Sequence, residues 1–467
     1  MTGPDGRSAE GRGELNRAGS SSALWTSAEL RAATGGTLTG EVAVTRVGFD
    51  SRQVAAGDLF VALRAARDGH DFVADALQSG AAAALVEHGA DPRCLVVPDT
   101  LAALQALGRA ARARSHAKIT AVTGSVGKTT TKEMLRVALG AFGTTHAAAA
   151  SFNNHIGVPT TLANMPRETR FAAIEIGMNN RGEIAPLARI ARPHVAIITT
   201  IGTAHLGRLG SQDAIAAEKG DIIEGLEPGG TAILPADSTY FSVLRARAGR
   251  SLGFGMAEGA DIRLLDYNAA AESGAALIAT PQGPVDLTLA APGRHLAENA
   301  CAVLAAIHAL GLDIPTAARA LQSFGAGAGR GQRRAIAAAG GAALLLDESY
   351  NASGPSVLAA LAVLKAQPGR RVAILGDMLE LGEHGPAMHL ALGPAVAESA
   401  DLVHTVGPLM GAMLAGLPTS IRGEAAPDSN TLAPLAKSSL RAGDAVLVKG
   451  SLGMRMATII HALDTPP

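Results

Sequence analysis

The stretch Ala121-Val-Thr-Gly-Ser-Val-Gly-Lys-Thr-Thr130 decides how this chain is read. A β-favouring run, Ile119 to Thr123, leads into a turn bracketed by Gly124 and Gly127, and Lys128, Thr129 and Thr130 then open a helix. Glycine lets the backbone approach a phosphate closely, the N–H groups of a helix start point at an anion, and Lys128 adds positive charge. Thr129, a hydroxyl directly after the lysine, is placed to ligate the magnesium that travels with a nucleotide. Thr123 to Thr130, with Ser125 and Val126 inside the turn, therefore reads as a cradle for a nucleotide triphosphate. Its T-G-x-x-G-K-T spacing departs from the standard G-x-x-x-x-G-K-[ST] loop, because position 122 is Val. The competing reading is an ordinary strand–turn–helix junction with a solvated lysine.

At 467 residues the chain exceeds one core, and a prior of about 100–200 residues per domain suggests three domains. A hydrophobic fraction of 48% is ample for burial and makes the chain globular. Formal net charge is -1, from 40 basic and 41 acidic residues, so nothing suggests a nucleic-acid or membrane-surface partner. Two cysteines, Cys94 and Cys301, lack metal-ligand spacing, and a reducing cytoplasm fits best. Residues 1–22 are polar and glycine-rich without an apolar h-region, and read as a disordered tail. No run reaches the roughly 18 apolar residues that a membrane helix needs.

The patterns divide the chain into units at 23–115, 116–328 and 329–467. In the first, strand-like Val42 to Phe49 and Gly57 to Leu63 alternate with helical stretches. Asp50-Ser51-Arg52 after a strand offers a hydroxyl and a guanidinium to an anionic ligand. A turn with an internal Asp–Arg pair fits the local sequence as well.

In the second unit, Phe171 to Gly177 and His194 to Gly202 are continuous apolar runs separated by helical segments. That is the pattern of a mostly parallel sheet covered on both faces, whose ligands gather at the carboxyl ends of the strands. Glu175, a carboxylate in an apolar run, is costly to bury unless it meets a cation, which favours a metal role over a structural one. His205, beyond the next strand, reads as a solvated or structural loop residue or as part of the site. Lys219 lies on an amphipathic helix and reads by default as a surface lysine paired with Glu218 or Asp221. Short strands at 232–235, 263–266 and 285–289 are expected to form an antiparallel annex. Asn299, near the start of a long alanine-rich helix, offers its amide to a base edge or serves as a cap.

Gly325 to Arg333 is a glycine-rich linker carrying a cluster of arginines. Beyond it, runs at 342–347, 372–376, 402–406 and 445–449 read as strands of a second, smaller Rossmann-like layer. Their ends carry Asp347-Glu-Ser-Tyr-Asn351, Gly376-Asp-Met-Leu-Glu380 and Lys449-Gly-Ser451, polar clusters where a cleft would form.

Taken in order, these motifs resemble the Mur ligase family, the ATP-dependent amide-bond-forming enzymes of peptidoglycan precursor synthesis. Further matches are Asp68-Gly-His-Asp-Phe72, Asn153-Asn-His-Ile-Gly-Val-Pro159 and Glu175-Ile-Gly-Met-Asn-Asn180. The resemblance implies a three-domain α/β fold: a small N-terminal α/β domain gripping the UDP end, a central P-loop ATPase-like parallel sheet, and a C-terminal Rossmann-like domain that closes over the site. It implies that Lys128 and the loop backbone hold the ATP phosphates, with Thr129 and Glu175 on one Mg²⁺ and His205 contributing to a second. Lys219 matches the family's carbamylated lysine, which reverses the surface reading: the carbamate is an anion that can join a magnesium site. Asn299, Arg330, Asp347 and Tyr350 are implied nucleotide contacts, and Ser51, Arg52, Asn153 and Asn154 are implied substrate contacts. Two departures stand out: Asn180 replaces a common histidine, and Tyr350-Asn-Ala-Ser-Gly-Pro355 stands where the family usually shows Tyr-Asn-Ala-Asn-Pro.

Within the family, Leu375-Gly-Asp-Met-Leu-Glu-Leu-Gly382 fits the dipeptide-adding branch, and the Asp-Asn-Pro-Arg of the branch adding a diamino acid is absent. The implied reaction joins D-alanyl-D-alanine to UDP-N-acetylmuramoyl-tripeptide through an acyl phosphate, in a cytoplasmic bacterial monomer. The alternatives are the ligase adding the third, diamino acid and, from another class, a nucleotide-dependent binding or switch protein.

Overall fold

The computed structural model describes residues 23–464; the expected tail at 1–22 lies outside them. The chain divides into two compact units between Ala103 and Leu104.

The first unit holds a parallel sheet in the order Arg46–Gly48, Asp58–Val61, Ala83–Val86, Cys94–Val96. Its two middle strands are buried along their whole length, and Phe60 packs with Ala76 and Leu77 of the helix Val73–Gln78. The run expected at 42–49 divides in two. Ala43–Val44 pairs antiparallel with Trp25–Thr26, whereas Arg46–Gly48 joins the main sheet. The helix Ser27–Thr34 starts at a Thr26–Glu29 capping box and stops at Gly35, whose φ of 68 suits a residue without Cβ.

The second unit contains two sheets. The larger has nine strands in the order Val285–Leu289, Gly274–Ala279, Ile262–Ala269, Ser251–Gly255, Thr231–Pro235, Val195–Ile198, Lys118–Thr123, Phe171–Glu175, Thr145–Ala147. Lys118–Thr123 is the third strand from one edge, parallel to both neighbours, in register Val122 with Glu175 and Thr123 with Ile198. The chain passes to one side of that strand and then to the other, so the crevice at its carboxyl end lies at a topological switch point. The antiparallel annex begins later in the chain than expected and includes Gly274–Ala279, a strand the sequence reading did not single out. Thr231–Pro235 extends the parallel sheet, and only the last three strands, from Ile262 to Leu289, pair antiparallel.

Helices cover both faces of this sheet. On one, Lys128–Gly140 and Arg294–Ala309 pack together, the latter buried without interruption from Asn299 to Ile307. Its alanines let helix and sheet approach closely where larger side chains would hold them apart. On the other face lie Gly157–Ala163, Ile184–Ala191 and Gln212–Gly220.

The smaller sheet runs Gln332–Ala338, Gly341–Glu348, Ala445–Lys449, Arg371–Gly376, Leu402–Val406, Arg422–Ala426, and is parallel except at its first pair. Gln332–Ala338 was not expected as a strand: the linker hides its start, and alternation is blurred by its charged and alanine residues. In this sheet Glu348 and Lys449 sit in register at adjacent carboxyl ends, with Lys449 Nζ 3.4 Å from Glu348 Oε2.

Candidate active site

The turn after Lys118–Thr123 is shaped by two glycines. Gly124 (φ 148) and Gly127 (φ 86) occupy backbone conformations that side chains disfavour. A Cβ on Gly124 would lie 1.9 Å from Thr199 Oγ1, and one on Gly127 would lie 2.7 Å from Asn299 Oδ1. The helix Arg294–Ala309 starts at Gly293, so Asn299 is not its cap; it is buried at 8% exposure, and its amide stands against the loop.

The turn is tied to the end of the neighbouring strand. Ser125 N donates to Thr200 O at 2.9 Å and Val126 N to Thr200 Oγ1 at 3.0 Å. Gly202 N donates to Ser125 Oγ at 2.8 Å, and Thr199 Oγ1 to Val126 O at 2.5 Å. Thr199 and Thr200 were missed in the sequence; their signal was two hydroxyls directly past an apolar strand adjoining the loop strand. Lys128 Nζ donates to Gly124 O at 2.7 Å. Desolvation pushes its ammonium below the ordinary lysine range, and the charge of Glu175 opposes the shift. Thr130 is half-buried on the same first turn, where amide N–H groups lack intrahelical acceptors.

Glu175, at the carboxyl end of the next strand, is 3% exposed and has two polar partners. Thr129 Oγ1 donates to its Oε2 at 2.7 Å, and Asn153 Nδ2 to its Oε1 at 2.8 Å. Ser151 Oγ lies 3.2 Å from Thr129 Oγ1 and accepts from Arg330 Nη2 at 2.9 Å. That serine, unremarked in the sequence, links the linker arginine to the loop. The Arg330 guanidinium lies 3.8 Å from the centre of the Tyr350 ring. Asp347 holds the same loop, accepting from Gly329 N at 3.0 Å and from Ser349 Oγ at 2.6 Å.

Other expected residues have local roles in this structure. Asn154 Oδ1 accepts from Ile156 N (3.1 Å) and Gly157 N (2.8 Å), which opens the helix Gly157–Ala163. In the first unit Arg52 folds back on Asp50, with Nε and Nη2 each 2.8 Å from a carboxylate oxygen. Ser51 starts the short turn that this pair closes. Asn180 Nδ2 donates to Glu183 Oε1 at 2.8 Å. At the second departure, Ser353 and Ser356 form a capping box for the helix Gly354–Lys365, so the helix start is kept by another residue.

Lys219 overturns its default reading. It is 1% exposed, and neither expected partner meets it. Glu218 accepts from the backbone N–H groups of Gly182 (2.7 Å), Glu183 (3.0 Å) and Ile184 (2.9 Å). Asp221 accepts from Arg247 Nη2 at 2.6 Å. Burial, and then the charge of Lys128, push the Lys219 ammonium well below its ordinary value. His205 Nδ1 lies 2.7 Å from Glu380 Oε2, and burial lowers its pKa while Glu380 opposes.

Among the described residues no three His, Cys, Asp or Glu side chains cluster as a metal site, and no helix is long and apolar enough to cross a membrane. A buried carboxylate touching a hydroxyl at the phosphate loop nonetheless fits magnesium. That ion takes one or two protein ligands and completes its shell with phosphate oxygens and water.

Models of known families match most of the chain: the catalytic domain of the Mur ligase family over residues 43–135, the Mur ligase middle domain over 122–307, and the Mur ligase glutamate ligase domain over 329–452. The UDP-N-acetylmuramoyl-tripeptide–D-alanyl-D-alanine ligase of Synechocystis is 36% identical, over 91% of this chain and 93% of its own. That of Escherichia coli is 35% identical, over 91% and 94%. The crystal structure of MurF from Acinetobacter baumannii aligns with a TM-score of 0.83 at 34% identity, covering 94% of this chain and 98% of that one. With that identity spanning all three matched regions, and the loop and strand ends assembled as the motifs require, this chain belongs to the Mur ligase family.

Proposed function

We infer that the chain is an ATP-dependent ligase that joins D-alanyl-D-alanine to UDP-N-acetylmuramoyl-tripeptide, in the cytoplasmic stage of peptidoglycan precursor synthesis. The observation that carries this reading is the meeting of Lys128, Thr129, Glu175, Asn153 and Asn299 around one loop, with Arg330 reaching it from the start of the smaller sheet. ATP and magnesium use follow from family membership. Three domains, 23–115, 116–328 and 329–467, are proposed; the three separate main sheets support that division.

In the first step an oxygen of the tripeptide's terminal carboxylate attacks the γ-phosphorus of ATP, giving an acyl phosphate and ADP. The free amine of D-alanyl-D-alanine then attacks the acyl carbon, and the tetrahedral intermediate expels phosphate as the amide forms. Lys128 and the first-turn amides of its helix would neutralise the transferring phosphoryl group, so positioning and electrostatics supply most of the rate. Thr129 and Glu175 would hold one magnesium, and His205 with a carbamylated Lys219 a second; magnesium supplies charge neutralisation at the phosphates. Two observations support the carbamate: Lys219 is buried, and the carboxylates beside it in sequence are committed elsewhere. A carbamate supplies the oxygen donors that magnesium prefers, which the His205 ring does not. Asn299, Arg330, Asp347 and Tyr350 would contact the nucleotide, and Ser51, Arg52, Asn153 and Asn154 the substrate.

The test is phosphate release from ATP against a panel of precursors. Release is expected only with UDP-N-acetylmuramoyl-tripeptide and D-alanyl-D-alanine together. Release needing neither would overturn the ligase reading, and release with a diamino acid plus the dipeptide precursor would move it to the rival branch.

A further inference from the structure

His205 and Glu380, residues with side chains, both hold left-handed backbone, at φ 67 and 66. Such conformations are unfavourable alone and persist where surrounding contacts over-determine them. Here the two residues meet. His205 Nδ1 lies 2.7 Å from Glu380 Oε2, and Arg208 Nη2 donates to Glu380 Oε1 at 3.2 Å. Gly207 N donates to the Glu380 carbonyl at 3.0 Å. There is no room for a side chain between them: a Cβ on Gly207 would lie 2.7 Å from Gly382 N and 2.9 Å from Glu380 O. One glutamate thus receives three contacts from the segment around the short helix Leu206–Leu209, and it comes from the loop after the smaller sheet's strand Arg371–Gly376.

We propose that Glu380 is a positioning residue for the ligase reaction, latching the smaller-sheet domain onto the His205 segment and orienting the His205 ring. His205 Nδ1 sits 2.7 Å from the carboxylate without hydrogen-bond alignment, so the pairing bears on the place of the ring rather than on its tautomer, and Nε2 is the nitrogen left for a ligand. Closing the two domains and aiming His205 are then one event, so the site is complete only when water is being excluded from it. The kinetic part of this inference rests on the ligase reading; its conformational part does not.

Cys94 and Cys301 are buried, so cysteines introduced at exposed Val243 and Leu390, on the two sides of the latch, take a donor–acceptor dye pair selectively. Single-molecule energy transfer is read in the full chain with AMP-PNP and magnesium, beside kcat for phosphate release and the melting temperature. Glu380→Ala and Gly207→Ala are each expected to lower the closed population, and kcat with it, about tenfold, within the usual range of coupling between sites. Gly207→Ala keeps every charge and adds a better helix former, so its fold is retained. Glu380→Gly relieves the left-handed backbone while removing the carboxylate, so its loss of closure cannot come from strain. Closed populations and kcat equal to the unsubstituted chain in all three variants would overturn the latch. Absence of phosphate release in the unsubstituted chain would instead overturn the ligase reading and leave the closure measurement standing.

Discussion

Lys128 and Lys219 make an instructive pair: burial depresses both ammonium groups, yet the charge that weighs most on each has the opposite sign. Lys128 donates to the carbonyl of Gly124 and has the charge of Glu175 nearby. Lys219 is buried with the charge of Lys128 against it, and Glu218, whose charge opposes the shift more weakly, accepts its hydrogen bonds from three backbone amides at 182–184. After burial, the largest charge effect on the first favours its cation, and on the second opposes it.

Substitution breaks that contrast most directly. Lys128→Ala is expected to lower kcat for phosphate release about 10³-fold, the scale of losing a cation on a transferring phosphoryl group. Added acetate or formate should restore nothing, because the missing charge is positive. Lys219→Ala is expected to lose about 10²-fold, the scale of one electrostatic contact in a closed site. Here short carboxylates should restore part of the rate by standing in for the carbamate. Full activity in unrescued Lys219→Ala would remove that residue from the mechanism, and rescue of Lys128→Ala by the same anions would erase the contrast.

A smaller effect tests the same physics away from the site. His404, in the strand Leu402–Val406, is 2% exposed, accepts from Glu424 N at 3.0 Å, and has Nε2 3.0 Å from Ser439 Oγ. Burial, and then the charge of Arg370, push its pKa from 6.5 to about 4. Between those values the unfolded chain binds the proton and the folded chain does not. Stability should therefore fall as pH falls through that window, by on the order of 2–3 kcal/mol, and be unaffected above it. Urea denaturation at pH 7 and pH 4.5 measures the difference, and His404→Gln should flatten it. An unchanged slope in that variant would show that burial of this ring does not govern acid stability.

Most of the site was legible where its chemistry is local. The turn at 123–130 announces itself through adjacent glycines, a lysine and hydroxyls. Glu175 stood out as a carboxylate inside an apolar strand, and the polar clusters after strands of the smaller sheet marked a cleft. The contacts that assemble these pieces were not legible. Ser151 looks like any loop serine until Arg330, 179 positions away in the chain, is found donating to it. Glu380 is one member of a polar cluster past a strand, with no assigned partner, until His205 and Arg208 are found on it. Asp50-Ser51-Arg52 left two readings open, and the structure shows the internal ion pair. The antiparallel annex was begun too early, at 232–235, because a short strand buried on both faces reads the same whether its neighbour is parallel or antiparallel.

The sequence by itself determined the alternation of apolar strands and helices, the phosphate-type turn, and the ordered motifs that mark the family. These depend on periodicity and on residues within a few positions of one another. Only the tertiary structure decided which side chains share a cleft, that Lys219 is enclosed, and that Asn299 rests on Gly127. The physical reason is desolvation. Whether a charged or polar group is a solvated surface residue or a reactive one depends on which distant segments exclude water from it, and spacing along a chain does not encode that.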